Sequence, residues 1–433
     1  MSREQIATVS VLTLGCKLNQ ADSEVIARRL ARNGVRVVDR AVPGASAFVI
    51  NSCSVTHVAD RKARHLVRMA RRLSPDAQIV LTGCYAETAP ADIAEQIGAD
   101  AVLPNAAKPE IPDRLLERLR DRGDPSAGCP TFIRGDLRAR AFIKIQEGCN
   151  ELCAFCIVPH TRGRETSVPI DRVVAEVRAR EADGVQEVVL TGTQLGNYGR
   201  DTGEREQGPR PLLEALLERT SVPRIRLSSL QAQDISPALL DLWQDRRLCP
   251  HFHLPLQSGS DSVLNRMRRR YSADDYRRAV ALIREHVPDV AITTDVIAGF
   301  PAETQSDFEA TIGLCREMGF AAIHAFPYSR RPHTAAALMR DHLLPPVRRA
   351  RLETLLQLGR ETSLAFRRRF LGRTMQVLWE ENRGGRWQGL TGNYIRVYAS
   401  DAQDLSNRLL STRLASLEDE GVFGLTGVPA GAA

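Results

Sequence analysis

The stretch "EGCNELCAFCIVPHTRGRE" (residues 147–165) puts Cys149, Cys153 and Cys156 in a C-x3-C-x2-C spacing directly behind the apolar run "AFIKIQ". A run of that kind reads as a strand, so the three thiols share one loop at a strand exit. Three thiolates this close wrap a single compact metal centre. Structural zinc asks for four ligands in a closed tetrahedron. A fourth is not evident here, since His160 follows Pro159 and would have to fold back. A 4Fe–4S cluster on three cysteines instead leaves one iron open, as catalytic metal sites do so that a substrate can bind.

Outward from this loop the chain alternates between strand-like and helical pieces. The strand-like pieces are "AFIKIQ", "EVVLTG", "RIRLSSL", "HFHLPLQ", "AITTDVIAGF" and "AAIHAFPYS", with helical stretches at 170–183, 210–219, 236–245, 261–287 and 304–318. Six such repeats read as a partial (β/α)6 barrel with its active site at the C-terminal strand ends. A helical segment, 345–370, closes it. Beyond that, "MQVLWEE", "RWQGLTGNYIRVYAS" and "GVFGLTGV" alternate apolar and polar residues between Gly and Asn turns, which predicts a small all-β barrel. Residues 7 to about 105 alternate short apolar strands with helices, the pattern of an open α/β domain on a parallel sheet. The fold class is therefore α/β. It comprises an N-terminal open α/β domain (5–120), a central partial barrel (135–368) and a C-terminal β-barrel (370–433), with a Pro/Gly-rich linker after the first.

Three further cysteines end strand-like runs in the first domain: Cys16 after "VLTLG", Cys53 after "AFVINS" and Cys84 after "QIVLTG". Their separations of 37 and 31 residues each fit one strand–helix–strand unit. Ligands of open parallel sheets bind beyond the carboxyl ends of the strands. Free cysteines are often simply buried, but one thiol at each of three successive strand ends points to a second metal centre.

Composition narrows the setting. Of the 433 residues, 43% are hydrophobic and 26% charged, which is ordinary for a soluble globular chain. No apolar run approaches the roughly 18 residues of a membrane span, and the first residues carry no signal-like apolar segment. A cytoplasmic setting is expected, where nine cysteines serve as ligands or core residues rather than disulfides. The formal charge is +7, with basic residues clustered at 61–72, 266–270 and 367–373. Such clusters favour a polyanion such as RNA, or are solvated helix faces.

The C-x3-C-x2-C loop, Phe155 before its third cysteine and the six-unit barrel together resemble the radical S-adenosylmethionine (SAM) superfamily. In that superfamily the amino and carboxylate groups of SAM chelate the open iron, and one electron releases a 5′-deoxyadenosyl radical. The resemblance implies that Phe155 lies against the adenine of SAM. It implies further cofactor contacts at Thr191 and Gly192 in "LTGTQLGNYG", Ser228 and Ser229 in "RLSSLQ", Gln257 in "HLPLQSGS", and Asp295, Ile297 and Gly299 in "DVIAGFPAE". The motifs "TLGCKLNQ", "NSCSVT" and "TGCYAE" resemble the N-terminal domain of the methylthiotransferases, radical-SAM enzymes that end in an RNA-binding TRAM barrel. That likeness implies two 4Fe–4S clusters, one on Cys16, Cys53 and Cys84 and one on Cys149, Cys153 and Cys156, with no catalytic side chain beyond these ligands.

Within the family, "GCKLNQ", "HLPLQSGSD" and "TTDVIAGFPAET" look most like enzymes that convert N6-threonylcarbamoyladenosine (t6A) at tRNA position 37 to its 2-methylthio derivative. Relatives act on isopentenyladenosine in tRNA or on a ribosomal-protein aspartate; an iron–sulfur RNA-binding regulator is the non-enzymatic alternative. The implied partners are the anticodon loop of ANN-decoding tRNA and an electron donor such as flavodoxin or ferredoxin, with no membrane. The family usually carries Gly-Thr after the last barrel strand, where this chain has His333-Thr334. Arg386, Trp387, Tyr394, Arg396 and Tyr398, with the "RRRFLGR" approach, are expected to supply the RNA contact, though half of the alternating residues must face the small core. Cys129, Cys249 and Cys315 receive no role, and His65, His251, His253 and His324 are read as structural, with His253 near the cofactor.

Overall fold

The computed structural model describes residues 7–121, 139–203 and 208–427, so Cys129 lies outside the described residues. The first domain runs β1 (Thr8–Thr13), α1 (Lys17–Arg32), β2 (Arg36–Val38), β3 (Ala47–Ser52), α2 (His57–Leu73), β4 (Gln78–Gly83), α3 (Cys84–Thr88), α4 (Ile93–Ile97), β5 (Ala101–Val102) and α5 (Ile111–Asp121). Its strands form one parallel sheet in the order β2-β1-β3-β4-β5. Every residue of β3 and β4 is buried, which is why both read as continuous apolar runs. Val9, Val49, Ile26, Leu30 and Leu115 pack one face of the sheet under α1 and α5. Phe48, Ile50, Val67 and Ile79 pack the other under α2.

The second unit opens with β6 (Arg140–Lys144). The two-residue strands β7 (Gln146–Glu147) and β8 (Thr166–Ser167) then pair and bracket the C-x3-C-x2-C loop, with the one-turn α6 (Val158–Arg162) inside it. There follow α7 (Ile170–Ala182), β9 (Glu187–Thr191), α8 (Arg210–Arg219), β10 (Arg224–Leu227), α9 (Pro237–Leu240), β11 (His251–His253), α10 (Asp261–Arg266), α11 (Ala273–His286), β12 (Ala291–Ala298), α12 (Gln305–Met318), β13 (Ala322–Pro327) and α13 (Pro345–Arg368). Two three-stranded parallel sheets, β10-β9-β6 and β11-β12-β13, are joined by a bridge between Ile225 and Leu248, giving the six-stranded partial barrel. The helix expected over 261–287 is broken in two. Arg268 is left-handed (φ 59°), and Ser272 caps α11 in a reciprocal box with Asp275, a Ser-x-x-Asp start signal inside the helical pattern. In 236–245 only the single turn of α9 is α-helical, followed by a 3-10 turn.

On its β6 flank the open side of the barrel is covered by the first domain. Helix α1 lies along β6: Ala21 packs on Phe142 and Val189, and the Phe142 amide donates to Glu24 (3.1 Å). The C-terminal barrel is closed in the order β14-β15-β16-β18-β17, with β14 (Thr374–Arg383), β15 (Arg386–Thr391), β16 (Arg396–Ala399), β17 (Leu409–Leu417) and β18 (Val422–Leu425). Its core holds Val377, Trp379, Trp387, Val397 and Leu414. Trp387 is therefore a core residue, contrary to its expected place on an RNA face.

The turn after β15 docks this barrel onto the N-terminal strand ends of the larger one. Arg224 donates to the Leu390 and Thr391 carbonyls (3.0 and 2.7 Å), and Arg226 donates to that of Gly392 (2.8 Å). Both guanidiniums meet the fully buried Glu187, at 2.9 and 2.7 Å. Tyr394, left-handed at φ 67°, stacks on His251 (4.6 Å) and lies 4.9 Å below the Arg226 guanidinium. Tyr394 thus closes the barrel floor and is also removed from the expected RNA face, whereas Arg396 stays exposed. Three of the four arginines of the "RRRFLGR" approach are likewise engaged within the molecule, while Arg368 is exposed. Arg367 donates to the Glu418 and Gly421 carbonyls, Arg369 covers Phe366 and Phe370, and Arg373 pairs with Asp289. Burial pushes the Glu187 carboxyl up, but Arg224 and Arg226 outweigh it and hold the group down at about 2. Removing one member of such a buried cluster leaves the others unpaired. Glu187→Gln is expected to lower unfolding stability by about 3–5 kcal/mol, measured by chemical denaturation.

Candidate active site at the seam between the α/β units

Strands β1, β3 and β4 are neighbours, so their C-terminal ends deliver Cys16, Cys53 and Cys84 to one edge. Cys16 is exposed and the other two are buried. Two glycines make the approach feasible. Gly15 (φ 96°) and Gly83 (φ 93°) are left-handed; a Cβ at Gly15 would lie 2.8 Å from the Cys53 sulfur, and one at Gly83 would lie 2.3 Å from the Ser52 carbonyl oxygen. Asn19 laces the edge together by donating to the Leu14 and Ser52 carbonyls (2.7 and 2.8 Å), and Asn51 donates to the Asn19 carbonyl (2.8 Å).

The second trio sits on the loop between β7 and α6. Gly148 (φ 73°) presses on Arg164, where a Cβ would fall 1.9 Å from the carbonyl oxygen. Hydrogen bonds point at the sulfurs: Glu151 N–H to Cys149 (3.4 Å), Arg269 Nη1 to Cys153 (3.3 Å) and, in the other trio, Val55 N–H to Cys53 (3.5 Å). Burial, reinforced by the neighbouring cysteines, pushes the Cys53 and Cys149 thiols up to about 11 and Cys156 up to about 12. Thiols held as high as those of Cys53, Cys149 and Cys156 stay protonated near neutrality unless a cation binds them, and a coordinating metal deprotonates them outright. Both donor sets fit an iron–sulfur cluster. The expected helical face of "RMRRR" serves this loop instead: Arg269 reaches Cys153 and Gln231, and Arg270 pairs with Glu151 (2.9 Å).

Of the residues expected to hold SAM, Phe155 lies in that loop, Ile297 clusters with it, and Gly192 packs on Gln146 just ahead of the loop. Phe155 joins Ile297, Phe300, Met267 and Ala336 in one apolar cluster, its ring edge-on to Phe300 at 6.5 Å. Thr191 ends β9, and Gly192 packs on Gln146, where a Cβ would meet the carbonyl oxygen at 3.0 Å. Ser228 and Ser229 follow β10, and the Ser228 hydroxyl is buried without a hydrogen-bond partner among the described residues. Gln257 is left-handed (φ 64°) and bridges β12, donating to the Asp295 carbonyl (2.8 Å) and accepting from Ile297 (3.0 Å). Gly299 (φ 74°) donates its N–H to Glu303 (2.8 Å) and lies against Arg348. Asp295 does not stand alone. Its carboxylate meets His253 Nε2 (3.3 Å) and His324 Nδ1 (3.2 Å), and Thr293 Oγ1 fixes the other nitrogen of His253 (2.9 Å). Burial raises the Asp295 carboxyl, but hydrogen bonds and charge from the two imidazoles reverse this and hold it well below the usual carboxylate range. The role of His324 was legible only from register: Asp295 and His324 are paired neighbours on β12 and β13.

The two trios are tied across the seam by charge. Arg162, in α6 just past Cys156, donates to Asn19 Oδ1 (2.5 Å), reaches Asp22 (3.4 Å) and hydrogen-bonds Glu147. Lys108 and Lys144 each hold Asp22 at 2.7 Å. On the other flank, Arg331 donates to Ser54 (2.7 Å) and pairs with Asp60 (2.8 Å). His333 is left-handed (φ 66°), a conformation that glycine adopts without strain, and its ring lies 5.8 Å from His160. His333→Gly is expected to raise stability by about 1 kcal/mol, read from the thermal midpoint. Burial pushes the Asp22 carboxyl up, yet Lys108, Lys144 and Arg162 bring it from 3.8 to about 2. A lowered carboxylate contributes stability above its unfolded value and loses it as pH falls through the folded one. The stability gap between wild type and Asp22→Asn should therefore be about 3 kcal/mol or more near neutrality and shrink as pH drops from about 4 toward about 2, in urea titrations.

Comparison with known proteins agrees with this geometry. The model of the Radical SAM superfamily matches residues 143–315, and that of Uncharacterized protein family UPF0004 matches residues 8–104. The chain is 34% identical to the threonylcarbamoyladenosine tRNA methylthiotransferase MtaB of Thermotoga maritima, over 96% of each chain. It is 32% identical to the protein of that name in Bacillus subtilis, over 94% of each. A tRNA-2-methylthio-N(6)-dimethylallyladenosine synthase from Desulfotalea psychrophila is 33% identical over 90% of this chain and 92% of its own. Among solved structures, the radical SAM methyltransferase TsrM of Kitasatospora setae shares the fold, with a TM-score of 0.54 at 16% identity over 77% of each chain. With both thiol trios, the partial barrel and nearly full-length likeness in hand, the chain belongs to the radical-SAM tRNA methylthiotransferase family.

Proposed function

We propose that the enzyme installs a methylthio group on C2 of N6-threonylcarbamoyladenosine at position 37, beside the anticodon of ANN-decoding tRNAs, in the cytoplasm. The observation that carries this reading is the pair of thiol trios tied across one seam by Arg162 and Asn19. The reaction explains the need for two centres. An adenine C2 has neither an acidic proton nor a leaving group, so acid–base or nucleophilic side chains alone cannot functionalise it. When bound, a 4Fe–4S cluster on Cys149, Cys153 and Cys156 would reduce SAM, and one on Cys16, Cys53 and Cys84 would carry the sulfur to be methylated and transferred. An electron donor of the flavodoxin or ferredoxin kind supplies the reducing equivalents.

The chain's own residues position and shield. Phe155 and Ile297 offer an apolar seat for the adenine of SAM. Ser228, whose hydroxyl has no hydrogen-bond partner among the described residues, would add a polar contact to SAM, as would Thr191, Gly192, Ser229 and Gln257 at or beyond the strand exits. Asp295, held anionic by His253 and His324, supplies a fixed acceptor beside that seat, and Gly299 shapes the exit of β12. The relatives named dimethylallyladenosine synthases support a second reading, in which the nucleoside carries that smaller, uncharged group.

Mass spectrometry of tRNA nucleosides from cells lacking the protein discriminates the two, because only one 2-methylthio nucleoside should vanish. In the reconstituted protein, Cys153→Ala should abolish SAM cleavage. Cys53→Ala should abolish methylthiolated product while leaving some SAM cleavage, with iron falling from about eight to about four atoms per chain. Methylthiolated tRNA formed by the Cys53 variant would refute the assignment of two clusters.

A further inference from the structure

Of the three arginine-rich stretches in the chain, the fold engages two internally. The stretch at 266–270 supports the cysteine loop, and that at 367–373 fastens the C-terminal barrel. The third, "RKARHLVRMARR" (61–72), is different. It forms the outer face of α2, where Arg61, Lys62, His65, Arg68 and Arg72 are exposed. Arg61, Arg64, His65, Arg68, Arg71 and Arg72 line one open groove together with Ile97, and no carboxylate lines it. Two of these have internal partners: Arg71 pairs with Asp100 (2.8 Å) and Arg64 donates to the Tyr85 hydroxyl (3.0 Å). Among the described residues no ion pair engages Arg61, Arg68 or Arg72.

Helical spacing makes this arrangement unfavourable by itself. Positions 61, 64, 65, 68 and 72 fall on one face, and like charges three or four apart repel by about 0.2–0.5 kcal/mol per pair. From Arg61 to Arg72 the row extends about 16 Å at 1.5 Å per residue, and an anionic chain of matching length relieves it. The row is also anchored beside the site. Helix α2 starts four residues after Cys53, the His57 amide donates to Ser329 (3.3 Å), and Arg331 holds Ser54 and Asp60.

We infer that the α2 groove binds the phosphodiester backbone of tRNA next to the nucleoside being modified. The first domain then grips RNA itself, separately from the C-terminal barrel. Such contacts fix register and orientation without reading bases, and each contributes to the salt dependence of binding. The inference rests on the tRNA reading above.

The test uses the full-length, cluster-reconstituted protein and fluorescently labelled substrate tRNA, with binding followed by anisotropy across a series of KCl concentrations. For the variant Arg61→Gln/Arg68→Gln/Arg72→Gln, affinity should fall about tenfold or more at physiological salt. The slope of log K against log salt should flatten by about two to three units. Iron content and SAM cleavage in the absence of tRNA should stay at wild-type levels. Lysine at the same three positions should restore most of the binding, whereas Arg118→Gln/Arg120→Gln/Arg360→Gln, on exposed faces of α5 and α13, should change little. Unchanged affinity and slope in the α2 variant would overturn the inference. So would charge-dependent capture by anionic phospholipid vesicles with tRNA binding intact. If the wild-type protein itself fails to bind tRNA in a salt-dependent way, the tRNA reading falls first.

Discussion

The buried knot of Arg162, Asn19 and Asp22 is the constraint on which the rest of the molecule depends. Each unit alone builds half a site: a sheet edge carrying three thiols, and a barrel loop carrying three more. Neither half fixes its distance from the other. Arg162 does so because it leaves the barrel loop just past Cys156 and ends on Asn19, the same side chain that laces the Cys16 and Cys53 loops. Lys108 and Lys144 converge on Asp22 from opposite units, so the charge at the seam is satisfied only when both are in place. Buried ion networks add little net stability, but they penalise every misaligned alternative heavily. For chemistry that passes a group between two centres, that selectivity counts for more than overall stability.

Much of this was legible in the residues. Apolar runs ending in cysteine gave the sheet edge, because strands buried on both faces read as unbroken hydrophobic stretches. Strand β9, buried throughout, is legible for the same reason. Helix boundaries were harder. The segment 261–287 has enough apolar period to look continuous, and its break depends on a left-handed Arg268 that no local propensity favours. The Ser272–Asp275 box is the local sign of the second start.

Charge was the least legible property. Three arginine-rich stretches look alike as strings, yet one supports a metal loop, one clamps a neighbouring barrel and one faces solvent. Only tertiary partners separate them: Glu151 and Gln231 for the first, the Gly421 carbonyl and Asp289 for the second. Aromatic residues show the same effect. Trp387 and Tyr394 lie on a segment whose alternation suggests an outward face, but one fills a core and the other a floor. The His253–Asp295–His324 group is not visible in the string of residues because its members are scattered over 72 positions and meet only through parallel register.

The turn carrying Tyr394 has an implication for how this architecture can change over time. Because Arg224, Arg226 and His251 find partners in that turn, the terminal module is the base plate of the reaction chamber as well as an attachment. A chain shortened before it would expose guanidiniums and an imidazole that now face backbone oxygens and a ring. Exchange of the module for another barrel is therefore constrained at its hidden end: the outer strands are free to diverge, while the inward loop must keep its shape.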